Sequence, residues 1–548
     1  MRLRDRLDAG PIALTFAAAL LLSGAAPALA QLTTRTLETE AERQRLDLER
    51  QATPPRQRGP AVIAPDRPPP LTFPAGGATV LLKQIEFGPS AFLSEAELDA
   101  IRQRYLGRTV DLAAIGELVQ AVNDLYAGKG QVTASALLPP QKLEGGTLKV
   151  SLIEGKVGAI SVTGAVQSWP WYLQSQIPAR PGEVVDAPAL NRSVSIFNRI
   201  NEVQLRAQLR AGASFGLTDL ELAATEPPRN LAQISWDNQG VTSTGRYQGV
   251  LFLKHHGLLG IDDRLIFYGS RSRGGILGSL SYGIPVSPFG TRLGVSYTRS
   301  AFNIVTGPSR ELRPEGISES GAINLTQPVF ATDSVLLQAM ASLGKGLSHS
   351  KLLDIETANS RNTKVSGGLS LNVTLPGFVQ MLTPTLTRIN FEDRIAQQKR
   401  DFTLFTGTST TILRISDDIY ASMVGAWQYS RITQLPGDQV FQIGGPTTIR
   451  GYPIGAAFGD SGYYGQAELH YALPEPLKSL DAFIFLDHGA TFATFPSVRR
   501  ATAVGAGLAW RPVDWATLEG GVARPLQRVT ASQRDHELYF RLTLRKTL

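Results

Sequence analysis

The residues that do most enzyme chemistry are sparse in this chain and badly spaced for it. Gly128-Lys129 and Gly344-Lys345 are each followed by Gly. Neither has the Ser or Thr, nor the upstream spacing, with which a glycine-rich loop wraps a phosphate. His255 and His256 are adjacent, so on a strand they point to opposite faces and cannot hold one ion together. The other four histidines show no ligand spacing. Asp262-Asp263 reads more simply as a turn than as an acid/base pair, and no Gly-x-Ser-x-Gly elbow occurs. The absence of cysteine excludes disulfides and thiolate metal sites. No catalytic residue, metal site or cofactor is expected, and the chain reads as a non-enzyme. What remains is recognition by charged side chains and by backbone, and the regular elements must position both.

Those elements begin after a leader. Arg2, Arg4 and Arg6 precede an apolar run from Ile12 to Leu22, and Ala28-Leu29-Ala30 reads as a cleavage site. Eleven apolar residues are too few to cross a hydrocarbon core, which takes about 20. Residues 1–30 are therefore expected to be a signal peptide, with an N-terminal membrane anchor as the rival reading. No later stretch is apolar enough for a transmembrane helix, which leaves a closed barrel as the means of spanning a membrane. The net charge of +7 is scattered, and no basic run with interleaved aromatics suggests a nucleic-acid surface.

Residues 31–51 have helix-forming composition with charges on every face. Arg43 and Asp47, and Arg45 and Glu49, are spaced for i,i+4 pairs. A helix polar all round sits in water or spans a wet space. Residues 52–78 are proline-rich, including Pro68-Pro69-Pro70, and read as an extended linker. Two β-α-α-β-β units follow, over 79–155 and 156–228. In the first, Val80 to Phe87 is expected as a strand, Ser94-x-x-Glu97 as a capping box, and Leu112 to Gly128 as a second helix. A repeated order of elements is stronger evidence than either unit alone.

Residues 229–548 lack helical period but contain many segments of alternating polarity. Val365, Gly367, Leu369, Leu371 and Val373 alternate with Lys364, Ser366, Gly368, Ser370 and Asn372. Leu538, Phe540, Leu542 and Leu544 alternate with Tyr539, Arg541, Thr543 and Arg545. One face for lipid and one for a polar lumen is the signature of an outer-membrane barrel. Sixteen strands are expected, beginning near 231, 245, 262, 275, 290, 317, 333, 362, 381, 399, 418, 462, 481, 501, 515 and 537. Strands of 9–11 residues suffice to cross the bilayer. A soluble all-β domain is the alternative, and it leaves the leader unexplained.

One long connection, 434–461, carries Gly444-Gly445-Pro446 and then Ile449-Arg450-Gly451-Tyr452. The Arg-Gly-Tyr triplet resembles the loop-six motif of the BamA/TpsB superfamily of barrels with periplasmic POTRA domains. Phe485-Leu486-Asp487-His488-Gly489 resembles that superfamily's Phe-x-Asp-x-Gly strand. Asp237-Asn238-x-Gly240 and Thr244-Gly245-Arg246-Tyr247 look like the first barrel hairpin of two-partner-secretion transporters. The whole series of elements resembles the TpsB branch, of ShlB, FhaC and HecB type. The chain departs from many members in ending Lys546-Thr547-Leu548 without a terminal aromatic residue.

The resemblance implies α+β periplasmic POTRA repeats followed by an all-β 16-stranded antiparallel transmembrane barrel. It implies that the long loop turns inward, where Arg450, Gly451 and Tyr452 meet the wall at Asp487. Strand parity alone does not say which face carries Asp487. It also implies an outer-membrane translocator that binds one large exoprotein, TpsA, in the periplasm and secretes it through the barrel, with residues 31–51 as a plug. An open sheet edge can add a client strand through backbone hydrogen bonds. The expected groove runs from Asn191 to Arg210 in the second repeat. Arg192, Arg199, Arg206 and Arg210 there could steer an acidic client or simply form a solvated face. Other expected partners are outer-membrane lipid and, during biogenesis, the barrel-assembly machinery and periplasmic chaperones, with the monomer functional. A barrel-assembly insertase and a passive porin are the rival functions.

Overall fold

The computed structural model describes residues 37–46, 48–49, 61–63, 73, 76–492, 498–530 and 533–547. The expected leader and most of the proline-rich stretch lie outside them. Among the described residues no helix is long and apolar enough to cross a membrane. The chain divides into two compact units, residues 55–227 and the barrel unit 228–548 with the N-terminal 54 residues.

In the first repeat, Ser94 caps helix Glu95–Tyr105. Its side chain accepts from the Glu97 amide, while the Glu97 carboxylate accepts from the Ser94 amide at 2.8 Å. This is the expected capping box, and it starts the helix so that Leu98 and Ile101 face the core. Helix Leu112–Gly128 adds Ile115, Leu118, Val119 and Val122 at helical spacing, packed with Ile85, Leu148 and Val150 of the sheet. The expected single strand from Val80 to Phe87 is two, Val80–Leu81 and Gln84–Phe87. Between them Leu82 turns fully inward, and its backbone bonds Gly107 and Arg108.

The two repeats share a sheet plan. In the first, strand Thr147–Glu154 lies between Gln84–Phe87, parallel to it, and Ala134–Leu137, antiparallel. In the second, Leu217–Thr225 lies between Lys156–Thr163, parallel, and Gln204–Ala211, antiparallel. The second sheet has one extra member. Val62–Ile63, inside the proline-rich stretch, pairs in parallel with Ala207 and Gln208.

The barrel closes with sixteen strands, the first (Asn230–Asp237) pairing antiparallel with the last (Glu537–Thr547). Observed strand starts fall within three residues of expectation except one: the eighth strand is Ile355–Leu375, not a strand from 362. The turn before it is only Leu353-Asp354, both at positive φ, the conformation of a tight hairpin. Strands six to ten run 17, 18, 21, 16 and 17 residues, well beyond the 9–11 expected. Their outer ends carry Ser348, Ser350, Thr357 and Ser360 with no apolar alternation. Above the bilayer neither face must be apolar, so polar sequence that reads as a loop continues as strand.

Alternation fixes the faces. Ile484 and Leu486 are exposed outward, while Phe483, Phe485 and Asp487 are buried inward. The lumen also holds the helical residues 37–46 and 48–49. Ala41 and Leu48 pack against the inward-facing Leu231, Val250, Phe252, Tyr268 and Leu277 of the first four strands. Gln44 accepts a hydrogen bond from the Tyr268 hydroxyl at 2.9 Å. Arg45 pairs with Glu49 as expected, whereas Arg43 pairs with Glu40 at 3.2 Å; Asp47 lies outside the described residues.

Candidate functional site

The connection between strands Ile419–Ser430 and Ser461–Ala472 folds into the lumen as a hairpin, with Phe441–Ile443 paired to Ala457–Gly459. Its base is held by Asp460, whose carboxylate accepts from the Gln434 and Leu435 amides at 2.9 and 2.7 Å. Leu435 also packs against Ile389, Phe391, Phe402 and Leu404 on the tall ninth and tenth strands. Gly444 has a φ of 106°, and a Cβ there would lie 2.3 Å from the Pro453 carbonyl oxygen. Only glycine lets the two limbs approach so closely.

At the tip, Arg450 meets Asp487 through three hydrogen bonds. Its Nε and Nη2 reach the two carboxylate oxygens at 2.8 and 2.7 Å, and its backbone amide reaches Oδ2 at 2.9 Å. Asp487 is fully buried and Arg450 nearly so. The remaining guanidinium nitrogen donates to Glu468 on the neighbouring strand at 2.5 Å, and the guanidinium carbon sits 3.6 Å from the Phe485 ring centroid. A cation drawn out of water is thus met on two edges by carboxylates and on one face by an aromatic ring. The Gly451 amide donates to the Tyr539 hydroxyl on the last strand. The Tyr452 hydroxyl donates to the Thr502 carbonyl at 2.8 Å and accepts from the amides of Thr502 and Gln527. Three consecutive residues therefore attach the loop tip to the twelfth, thirteenth, fourteenth and sixteenth strands.

Sequence comparison bears on the same segment. The family model for the haemolysin secretion/activation protein ShlB/FhaC/HecB matches residues 216–511, more than half of the chain. The chain belongs to that family. A second model, the ShlB-type POTRA domain, matches residues 80–155. The heme/hemopexin transporter protein HuxB of Haemophilus influenzae is 25% identical over 473 residues, 81% of this chain and 83% of that protein. The outer membrane transporter CdiB of Dickeya dadantii is 25% identical over 413 residues, 72% of this chain and 73% of that one. Among solved structures, CdiB from Acinetobacter baumannii superposes with a TM-score of 0.67 at 20% identity, over 94% of this chain and 99% of that one. CdiB from Escherichia coli gives 0.66 at 20% identity, over 95% and 98%. As a member of the ShlB/FhaC/HecB family, the protein is an outer-membrane transporter of two-partner secretion, with periplasmic N-terminal domains and a transmembrane barrel.

The residues expected to meet a client are not gathered in one groove. Leu205, Ala207 and Leu209 are buried toward the core, so Arg206 and Arg210 leave the strand on its opposite face. Arg210 there pairs with Glu221 at 2.7 Å. Asn191 and Arg192 are exposed on helix Ala187–Ile200, and Arg199 is buried beneath that helix. The strand edge is not open along its length either, because Val62–Ile63 covers its middle.

Three partners escaped sequence reasoning. Glu468 was visible as a charge between Ala467 and Leu469 in a membrane strand, where a charge must face the lumen and find a counter-charge. His470 follows on the same face, bridging Glu468 and Asp481 at 3.0 and 3.1 Å. Glu40 had no sequence signal for its partner, Thr447 on the inward loop, 2.6 Å away.

Proposed function

We propose that this transporter captures one large exoprotein at the edge of strand Gln204–Ala211 that Val62–Ile63 now covers, and passes it unfolded through the barrel lumen. The observation that carries the reading is the pairing of Val62–Ile63 with Ala207 and Gln208 on that edge. A two-residue parallel pairing is short and readily exchanged for a longer client strand, whose backbone supplies affinity without regard to side chains. Arg206 and Arg210 flank the edge and favour an acidic client. Residues 62–63 follow the lumen helix in the chain, so a client strand that displaces them from the edge also frees the segment leading from that helix. Arg450, Gly451, Tyr452 and Asp487 hold the inward loop against the wall while the chain passes. No covalent step is involved, and folding of the client outside the cell supplies the direction.

The test is a secretion assay. Deleting this protein should remove one large polypeptide from the medium, and restoring it should bring that polypeptide back. Loss of many outer-membrane proteins instead, with the medium unchanged, would overturn the reading in favour of an insertase.

A further inference from the structure

The second periplasmic repeat carries an exposed apolar surface that the transport reading leaves unused. Val166, Trp169 and Trp171 are 90%, 56% and 61% exposed, although they belong to one short loop and the first turn of helix Pro170–Ser175. The same turn buries Tyr172 and Leu173 in the domain core, so the helix is seated and its tryptophans are held outward. Indole rings combine a large apolar body with one hydrogen-bond donor and concentrate where hydrocarbon meets water.

The loop is also tied to one particular point on the chain. The Glu226 carboxylate accepts from the amides of Val166, Gln167 and Ser168 at 3.0, 2.8 and 2.7 Å. Glu226 is four residues before Asn230, which opens the first membrane strand. Four extended residues reach about 14 Å at most. Whatever angle the repeat takes, that span plus the Glu226 side chain and its hydrogen bonds, about 22 Å in all, bounds the distance of the bonded amides from the point where the chain enters the barrel wall. The interfacial layer flanking the hydrocarbon is itself about 5–8 Å thick.

We propose that Val166, Trp169 and Trp171 form a membrane-contact surface, seated in the headgroup region of the inner leaflet of the outer membrane. The Glu226 carboxylate ties this surface to the segment that leads into the first membrane strand. The second repeat is then steadied by lipid on one side as well as by its covalent tether.

The natural absence of cysteine makes the test direct. Full-length Val166→Cys and Phe215→Cys proteins, each nitroxide-labelled, are placed in phospholipid nanodiscs, where both faces are open to solution. Phe215 is 82% exposed in the turn at the far end of strand Leu217–Thr225, about 30 Å away at strand rise, and serves as the aqueous reference. The expected result is a higher ratio of oxygen to water-soluble nickel-chelate accessibility at position 166 than at 215, without any client. Equal ratios at the two positions would overturn the proposal. So would a ratio at 166 that rises only when exoprotein is added, which would make the patch a protein-docking surface.

Discussion

Glu40 on the lumen helix and Thr447 on the inward loop share a 2.6 Å hydrogen bond, three residues from the Arg450–Asp487 contact. Arg43, one turn on from Glu40, lies 5.0 Å from the Tyr464 ring centroid on the twelfth strand. The helix in the lumen and the inward loop are therefore physically joined.

Pore conductance should report that joint. Removing residues 32–51 should enlarge the channel in planar bilayers, and an unchanged channel would sink the assignment of the helix as a plug. Thr447→Val should act in the same direction but less completely. A hydrogen bond to a charged group is worth about 1.5–3 kcal/mol, so the open fraction should rise by roughly ten- to a hundredfold at about 1.4 kcal/mol per decade.

Arg450→Ala leaves Asp487 buried without its cation. Losing one partner of a buried ion pair typically costs about 3–5 kcal/mol, so export should fall sharply while exchanges at exposed loop arginines leave it intact. Heat-modifiable migration of the barrel on gels should separate loss of transport from loss of folding. Asp487→Ala added to Arg450→Ala should do little further harm, and additive losses would show that the two residues act separately.

The edge-competition reading predicts a reversible block. Val62→Cys with Ala207→Cys places two thiols across a parallel pair whose Cα positions are in register. Oxidation should stop export and reductant should restore it. Undiminished export from the oxidised protein would rule out displacement of residues 62–63 as a required step.

Acid sensitivity of the first repeat should trace to Glu97. The Lys129 ammonium, 2.8 Å away, and the Ser94 amide and hydroxyl hold its carboxyl down to about 2, from an ordinary 4.5. A carboxyl depressed on folding stabilises the fold above its unfolded value. That contribution is lost as pH falls from about 4.5 through about 2. In Lys129→Met the Glu97 carboxyl carbon should titrate nearer 4.5 by NMR; an unmoved midpoint would exclude the lysine as the cause.

Much of the architecture was legible because membrane barrels impose period two on sequence. Leu538 and Tyr539 could be assigned to opposite faces from alternation alone, and Leu538 is indeed exposed while Tyr539 reaches inward to the loop. Asp487 could not, since Phe483 and Phe485 on its face are as apolar as Ile484 and Leu486 on the other. Those two phenylalanines face the lumen to cover a guanidinium and each other, which requires knowing what occupies the lumen. The partner of Glu468 was hidden for a related reason: a lumen charge announces a need for a partner but not the partner's address. The arginines of the second repeat misled because numerical clustering between 192 and 210 spans a helix and a strand. Their chain spacing does not bring them onto one face. Val62–Ile63 had no signal at all, because two residues amid prolines carry no period.

The long sixth to tenth strands stand beside a wall whose first three members have only 8, 9 and 9 residues. The outlet is therefore a parapet on one side and a low sill on the other. A polypeptide emerging from it meets hydrogen-bonded backbone and polar side chains on the tall side and open solvent on the other.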